Sequence, residues 1–310
     1  MKTGPPDGAR ENPDSLAGEI GVQGIEALPA KVSRYGKAKK QALDVADYIG
    51  ADPACVPDSK RVEQRLRTCG DYLVFRHYFT VDKVRLHGAS LCTFSLLCPL
   101  CAIRRGAKAL KAYLDRFEAI AASRPLLRPF LVTLTVKDGP DLSERFKHLR
   151  DCQRELWMRR ARGRGSVLDC VEGAVWSYEV KRGAGSGMWH PHLHMIALAK
   201  EAPSAFDLAQ EWKEITGDSH VVDVRPIEQA DPVSGFLEVF KYAVKFSDQT
   251  PADTVHCFRT LSRKRLIGSA GCFRGVAVPE ELLDDDADLD GLPFATLFYR
   301  FMRESGGYSL

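Results

Sequence analysis

The most constraining feature of this chain is the run His190-Pro191-His192-Leu193-His194, which continues without a break into Met195-Ile196-Ala197-Leu198. On a strand, residues i, i+2 and i+4 share a face, so the three imidazoles point one way. Crowded imidazoles repel one another when protonated, and a shared divalent ion keeps them neutral. A second alternating run, Ala174 to Val180, lies just upstream, and Gly183-Ala184-Gly185-Ser186-Gly187 between the two reads as a hairpin loop. The hairpin brings Glu179 alongside as an oxygen ligand. Two imidazoles and one carboxylate leave positions open for water or a phosphate oxygen, which suits a catalytic ion. The bland reading is a polar strand face with incidental histidines. Three at alternate positions, with a carboxylate in reach, outweigh it. His190 is the weakest of the three, a support for a ligand or a marker of strand entry beside Pro191.

The surrounding pattern sets the fold class. Ile103, Ala107, Leu110, Leu114 and Phe117 recur at helical spacing across Ala102–Ala122, and Phe130–Val136 alternates as a strand. Asp141 with Glu144 is a capping box opening a helix to about Ala161. Ser204–Thr216 is a helix stopped by Gly217, and Val221–Val224 is a further strand. A hairpin interleaved with helices predicts an α+β fold with a central antiparallel sheet flanked by helices, rather than a doubly wound one. Residues 1–57 read as a variable, largely disordered leader with a short helix near Lys39–Ile49. Residues 58–125 are a cysteine-bearing segment and connecting helix, 126–275 the catalytic domain, and 276–310 an acidic and then aromatic tail.

Nine cysteines are an odd number, and four crowd one region, which favours metal ligation in a reducing, cytoplasmic compartment over disulfides. Cys98 and Cys101 have zinc-knuckle spacing, Cys92 lies just upstream, and Cys69 closes the set, with His77 and His87 as substitutes. Four thiolates satisfy Zn²⁺ with no open position, a structural role. Four buried free thiols are the plain alternative. The longest apolar stretch, Leu91–Ile103, is too short to span a membrane and is broken by Pro99. The first residues lack the apolar core of a secretory signal. A net charge of +3 over 310 residues does not announce a nucleic-acid binder. The charge is unevenly spread, with seven acidic residues in Glu280–Asp290 and an arginine-rich stretch before them in Arg145–Arg164.

Ser234–Phe246 is an amphipathic helix. Phe236, Val239, Phe240, Ala243 and Val244 form its apolar stripe, while Glu238, Lys241, Tyr242 and Lys245 line the other face. Lysines beside a phenol lower its pKa or hold phosphate oxygens, and a carboxylate one turn away accepts a proton. A solvated face with a half-buried tyrosine is the alternative for the helix taken alone.

Taken in order, these elements resemble the plasmid rolling-circle replication initiators of the HUH endonuclease superfamily. The likeness runs from Cys69 to Gly275. It rests on Cys98-Pro-Leu-Cys101, Phe130-Leu-Val-Thr-Leu-Thr-Val136, Trp189-His-Pro-His-Leu-His194, Lys241-Tyr-Ala-Val-Lys245, Arg263-Lys-Arg-Leu-Ile-Gly268 and Gly271-Cys-Phe273. The resemblance implies an RRM-like palm and an origin-specific nickase that stays on the new 5′ end as a phosphotyrosine ester. It implies Tyr242 as nucleophile and His192 and His194 as ligands of Mn²⁺ or Mg²⁺. Glu179 is a positional fit as third ligand. It also implies Glu238 as the carboxylate that directs water in the terminating cleavage. The position four before Tyr242 is this carboxylate rather than a second tyrosine, which marks a single-tyrosine variant.

The partners so implied are origin DNA, with a single-stranded or hairpin nick site, and a host helicase; oligomer formation is left open. Arg150, Arg154, Arg159, Arg160, Arg263, Lys264 and Arg265 are candidates for backbone contacts, each weighed against a solvated surface charge. A conjugative relaxase or rolling-circle transposase is the rival within the same chemistry, although relaxases place the tyrosine ahead of the histidines. A non-enzymatic zinc-containing DNA-binding regulator is the rival outside it.

Overall fold

The computed structural model describes Glu19 and residues 24–163, 165–228, 231–240 and 249–310. It is α+β, with two antiparallel sheets flanked by helices. The larger sheet has the order β6-β3-β5-β4-β7, built from β3 (Arg128–Thr135), β4 (Val171–Arg182), β5 (Trp189–Ala199), β6 (Val222–Pro226) and β7 (Ile267–Gly271). Its centre is the long β4–β5 hairpin, whose alternation buries one side chain in two against each covering layer.

On one face lies α4 (Leu142–Ala161), where Phe146 meets the Tyr178 ring at 5.3 Å and Trp157 stacks on Trp176 at 5.6 Å. The helix starts where the sequence signals it, with Asp141 Oδ1 accepting from the Glu144 amide at 3.0 Å. Beside α4 packs α5 (Ala205–Thr216), closed by Gly217 at φ 68°, a left-handed position that favours glycine. On the other face lie α6 (Pro232–Phe240) and, behind it, α3 (Pro99–Ser123). An aromatic cluster joins these two helices: Phe117 and Phe236 rings are 5.3 Å apart, and Phe273 flanks Phe236 at 6.2 Å.

The second sheet has the order β2-β1-β8-β9 and draws on both ends of the chain. Its strands are β1 (Tyr72–Tyr78), β2 (Lys83–Ala89), β8 (Ala295–Met302) and β9 (Gly307–Ser309). The segment 276–310 is therefore no free tail: β8 pairs along β1, and Asp284 bonds the backbone of Leu86. The expectation of a largely disordered leader is corrected too, for residues 24–57. They form α1 (Leu28–Ala51), whose Leu28, Tyr35, Ala42, Ala46 and Ile49 are all buried. Next come α2 (Ser59–Thr68) and, late in the chain, α7 (Pro251–Leu261), which packs on α1. Ionic contacts tie these parts together. Buried Arg104 of α3 reaches Glu19, the Tyr35 hydroxyl and Asp284. Among the described residues no helix is long and apolar enough to cross a membrane.

Candidate active site

The β4–β5 register sets Glu179 directly across from His192, and Ser177 across from His194. All four side chains thus rise from the same face of the sheet, the one that α6 covers. Glu179 Oε2 lies 3.5 Å from Nε2 of His192 and 3.5 Å from Nε2 of His194. The three side chains place their ligand atoms within 4.8 Å of one another.

The outer nitrogens are held elsewhere. His192 Nδ1 lies 3.4 Å from the carbonyl oxygen of His190, and His194 Nδ1 lies 3.1 Å from Thr133 Oγ1, which the β3–β5 register sets opposite it. Holding Nδ1–H of His192 on a carbonyl leaves Nε2 as the atom that faces Glu179 and would face a cation shared with it. Burial lowers the His192 pKa and so favours the neutral ring. Burial also works against the Glu179 charge, but hydrogen bonds and charge from His192 and His194 outweigh it and hold the carboxyl well below its usual range. A carboxylate and two imidazole lone pairs converging in a buried place form an electron-rich cup that fits a divalent cation.

His190 is not brought into this group. Its ring stands 5.4 Å from that of His192, and its Nδ1 pairs with Asp138, whose other oxygen accepts from the Ser186 hydroxyl. Asp138 reaches it because Gly139 and Trp189 exchange backbone hydrogen bonds. Sequence reasoning missed Asp138, which stands in a loop with no periodicity to mark it. Thr133 was findable, since it falls at an alternate position on the neighbouring strand.

The helix α6 is pinned over this face by the Ser177 hydroxyl donating to the carbonyl oxygen of Val239. Phe236, Val239 and Phe240 of the apolar stripe are buried, and Glu238 is half-buried on the lining of a cleft of about 410 Å³ shared with Leu131, Arg225 and Ser234. Lys241, Tyr242 and Lys245, with Ala243 and Val244, lie outside the described residues.

Cys69, Cys92, Cys98 and Cys101 meet at the start of α3, all buried. The Sγ separations are 3.5 Å for Cys69–Cys98, 3.6 Å for Cys69–Cys101 and 3.5 Å for Cys92–Cys101. A disulfide requires about 2.0 Å, whereas four sulfurs each about 2.3 Å from a central zinc are about 3.8 Å apart. The cluster fits a tetrahedral metal. Sulfur hydrogen bonds from Cys101, Cys92 and Cys98 favour ionisation of Cys69. His77 and His87 stand apart, near Asp82 at 3.0 Å and Asp286 at 3.5 Å. Gly70, at φ 70°, admits no Cβ between Leu100 and the Tyr308 hydroxyl, which donates to the Gly70 carbonyl and so closes β9 over the cluster.

The basic candidates divide. Arg150 and Arg154 are exposed on α4, on the sheet face opposite the histidines. Arg159 pairs with Glu214 at 3.1 Å, and Arg160 donates to the carbonyls of Leu168 and Val171. Lys264 lies over the Phe146 ring, Arg265 donates to the Ile267 carbonyl, and Arg263 is exposed in a left-handed turn at φ 64°.

Fold and site together define an α+β protein with one closed cysteine group and one open Glu/His/His group, each suited to a metal ion. Residues 83–293 match the Replication protein (Rep_1) family model, and the chain belongs to this family, that of plasmid rolling-circle replication initiators. It is similar to the Protein rep of Streptococcus pneumoniae serotype 2 (strain D39 / NCTC 7466), with 26% identity over 231 residues covering 69% of this chain and 70% of the relative. A Protein rep of a Bacillus species is 25% identical over 263 residues, 73% of this chain and 83% of that protein. One from Lactiplantibacillus plantarum is 26% identical over 239 residues, 72% of each chain. No solved structure matches.

Proposed function

We propose that this initiator nicks one strand of its origin through Tyr242 and remains joined to the new 5′ end as a phosphotyrosine ester. The observation that carries this reading is the convergence of Glu179, His192 and His194 on the sheet face beneath α6, the helix whose sequence continues directly into Lys241-Tyr242-Ala243-Val244-Lys245. Glu179, His192 and His194 would hold the divalent ion, Mn²⁺ or Mg²⁺. Such an ion, when bound, relieves the charge that shields a phosphodiester from nucleophiles.

The rest falls to the chain's own groups. The Tyr242 oxygen forms a bond to phosphorus as the bond to the 3′ oxygen breaks, and the departing 3′ hydroxyl takes up a proton and can prime synthesis. One phosphoester replaces another, so the strand is resealed by the reverse exchange without ATP. Lys241 and Lys245 offer ammonium groups to phosphate oxygens, and Glu238 directs water at the second, terminating cleavage. The four-cysteine group takes Zn²⁺ and anchors α3. Arg150, Arg154 and Arg263 are available to backbone phosphates of duplex flanking the nick, with a helicase joining downstream.

The test is Tyr242→Phe in the full chain. Origin binding and folding should persist while nicking and the denaturation-resistant protein–DNA adduct disappear. A Phe variant that still forms the adduct would place the nucleophile elsewhere.

A further inference from the structure

The β2-β1-β8-β9 sheet has two unlike faces. Leu73, Phe75, Val84, Leu86 and Phe301 point inward and are buried. The register puts Tyr72 opposite Arg300, Val74 opposite Phe298, and Arg76 opposite both Thr296 and Arg85, so these residues share the outer face. That face departs from the usual polar exterior of a half-buried sheet. Phe298, in the middle of β8, is 51% exposed, and Tyr72, the first residue of β1, 38%. Their rings stack nearly parallel, 11° apart in plane with centroids 6.0 Å apart. Further along the same face Arg76 lies over the Phe294 ring at 4.4 Å.

The charge on this sheet is one-sided. The four strands contain no Asp or Glu, and their Arg76, Lys83, Arg85 and Arg300 all fall on the outer face. Among the described residues Arg300 forms no ion pair and stands exposed across from Tyr72. The other three cations meet carboxylates of the acidic segment. Asp286 is 2.9 Å from Arg76, and Asp288 is 3.3 Å from Lys83 and 3.6 Å from Arg85.

We propose that this outer face is a platform for single-stranded DNA, lying outside the nicking site and resting on the reading of this chain as a DNA-nicking initiator. Exposed rings on a sheet stack on unpaired bases of any sequence, and interleaved arginines take the phosphates between them. Tyr72 and Phe298 are the stacking pair, and Arg300 is the phosphate contact beside them. Asp286 and Asp288 hold the cations at the far end in the manner of two phosphates, so a strand long enough to pass Phe294 displaces them. A protein partner or a second copy would meet an apolar centre ringed by unlike charges. Here every charge borne by the strands has one sign, which matches a polyanion.

The experiment measures binding of the full chain to fluorescein-labelled oligo(dT), which lacks any nick sequence, by anisotropy at several salt concentrations. Stacking on an aromatic ring changes affinity by about fivefold or more per base. The double variant Tyr72→Ala/Phe298→Ala should therefore bind at least about tenfold more weakly, while Tyr72→Phe binds as wild type. Arg300→Gln should lower the salt slope by about 0.7. An oligonucleotide carrying 5-bromodeoxyuridine, irradiated with the wild-type chain, should crosslink to peptides of β1 and β8. Cleavage of a short origin oligonucleotide at saturation is scored in parallel and should be unchanged in these variants. If wild type cleaves no such oligonucleotide, the catalytic reading fails while the platform result stands on its own. An unchanged affinity in the double variant, with crosslinks elsewhere, overturns the proposal. So does a wild-type dimer that the double variant converts to monomer, since a second copy then covers the face.

Discussion

Tyr113 of α3 stacks on Phe240 of α6, their ring centroids 5.1 Å apart and their planes 22° from parallel. The contact joins two sites that the chain keeps apart. Cys98 caps the start of α3 and Cys101 lies in its first turn, while in sequence Tyr242 follows Phe240 by two residues. The cysteine group thereby supports α6, the helix that ends two residues before the proposed nucleophile in sequence.

The first expectation follows from that connection. Cys98→Ser or Cys101→Ser should lose the roughly one equivalent of zinc expected in wild type, because structural metal binding and folding are coupled. Stability should fall by several kcal/mol, of the order of a broken buried site. Tyr113→Ala should keep the zinc, cost about 3 kcal/mol for a buried aromatic removed, and still depress nicking. Elemental analysis beside a nicking assay separates the two, and a Cys98→Ser protein with full zinc would contradict the cluster's role.

At the other centre, His192→Ala and His194→Ala should each abolish Mn²⁺ binding by calorimetry and divalent-dependent nicking, with the zinc content and thermal melt nearly unchanged. Glu179→Gln should weaken Mn²⁺ binding by at least about tenfold, since a neutral amide replaces the one anionic ligand. His190→Ala should be milder, because His190 is bound to Asp138 and stands outside the ligand group. Equal losses from His190→Ala and His192→Ala would contradict that ordering.

Under the proposed function, Glu238 should separate initiation from termination. Glu238→Ala should nick and form the tyrosyl adduct at near the wild-type rate, then fail to hydrolyse the regenerated origin. Longer-than-unit strands should accumulate and circular single-stranded product should fall. Were Glu238 only a partner of a neighbouring lysine, the effect would be under about 1 kcal/mol, and unit-length product would form normally.

Acid should attack the seam between the chain's two ends. Burial opposes the Asp284 charge, but Arg104 and Lys31 outweigh it and hold the carboxyl down to about 2, against an ordinary 3.8. A depressed folded pKa means that this stabilisation is full above about pH 4 and is lost as pH falls towards 2. The gap of nearly two pH units corresponds to on the order of 2 kcal/mol. Asp284→Ala should be destabilised at pH 7 by at least that much, more because Arg104 is left buried. Denaturant melts of the two proteins should converge as pH falls to 2. A gap that stays constant with pH would rule out this linkage.

Much of the larger sheet could be read from residue order, and the reasons are local. Ala174–Val180 and His190–Leu198 alternate cleanly, and the intervening glycines mark the turn. The histidines and Glu179 inherit their positions from that register. Asp138 and Ser177 were invisible as partners because tertiary contacts, not spacing, select them. The helix Leu28–Ala51 was legible only in its Lys39–Ile49 part, for a different reason. Its buried stripe uses small Ala38, Ala42 and Ala46, and two of its lysines, Lys31 and Lys39, are buried, the latter held by the Arg67 carbonyl and Asp71. Charged residues placed inside cancel the periodic signal. β8 was masked by its outward rings, since Phe298 between Leu297 and Tyr299 blurs the alternation that marks a strand.

The pairing of β8 with β1 also sets an order on synthesis. The β1–β2 hairpin leaves the ribosome before β8, its second neighbour, which follows only after every strand of the larger sheet. Until then β1 presents an open strand edge bearing Leu73 and Phe75, the kind of edge that recruits other chains. A messenger truncated before Ala295 would therefore yield a polypeptide prone to aggregate rather than a shortened initiator.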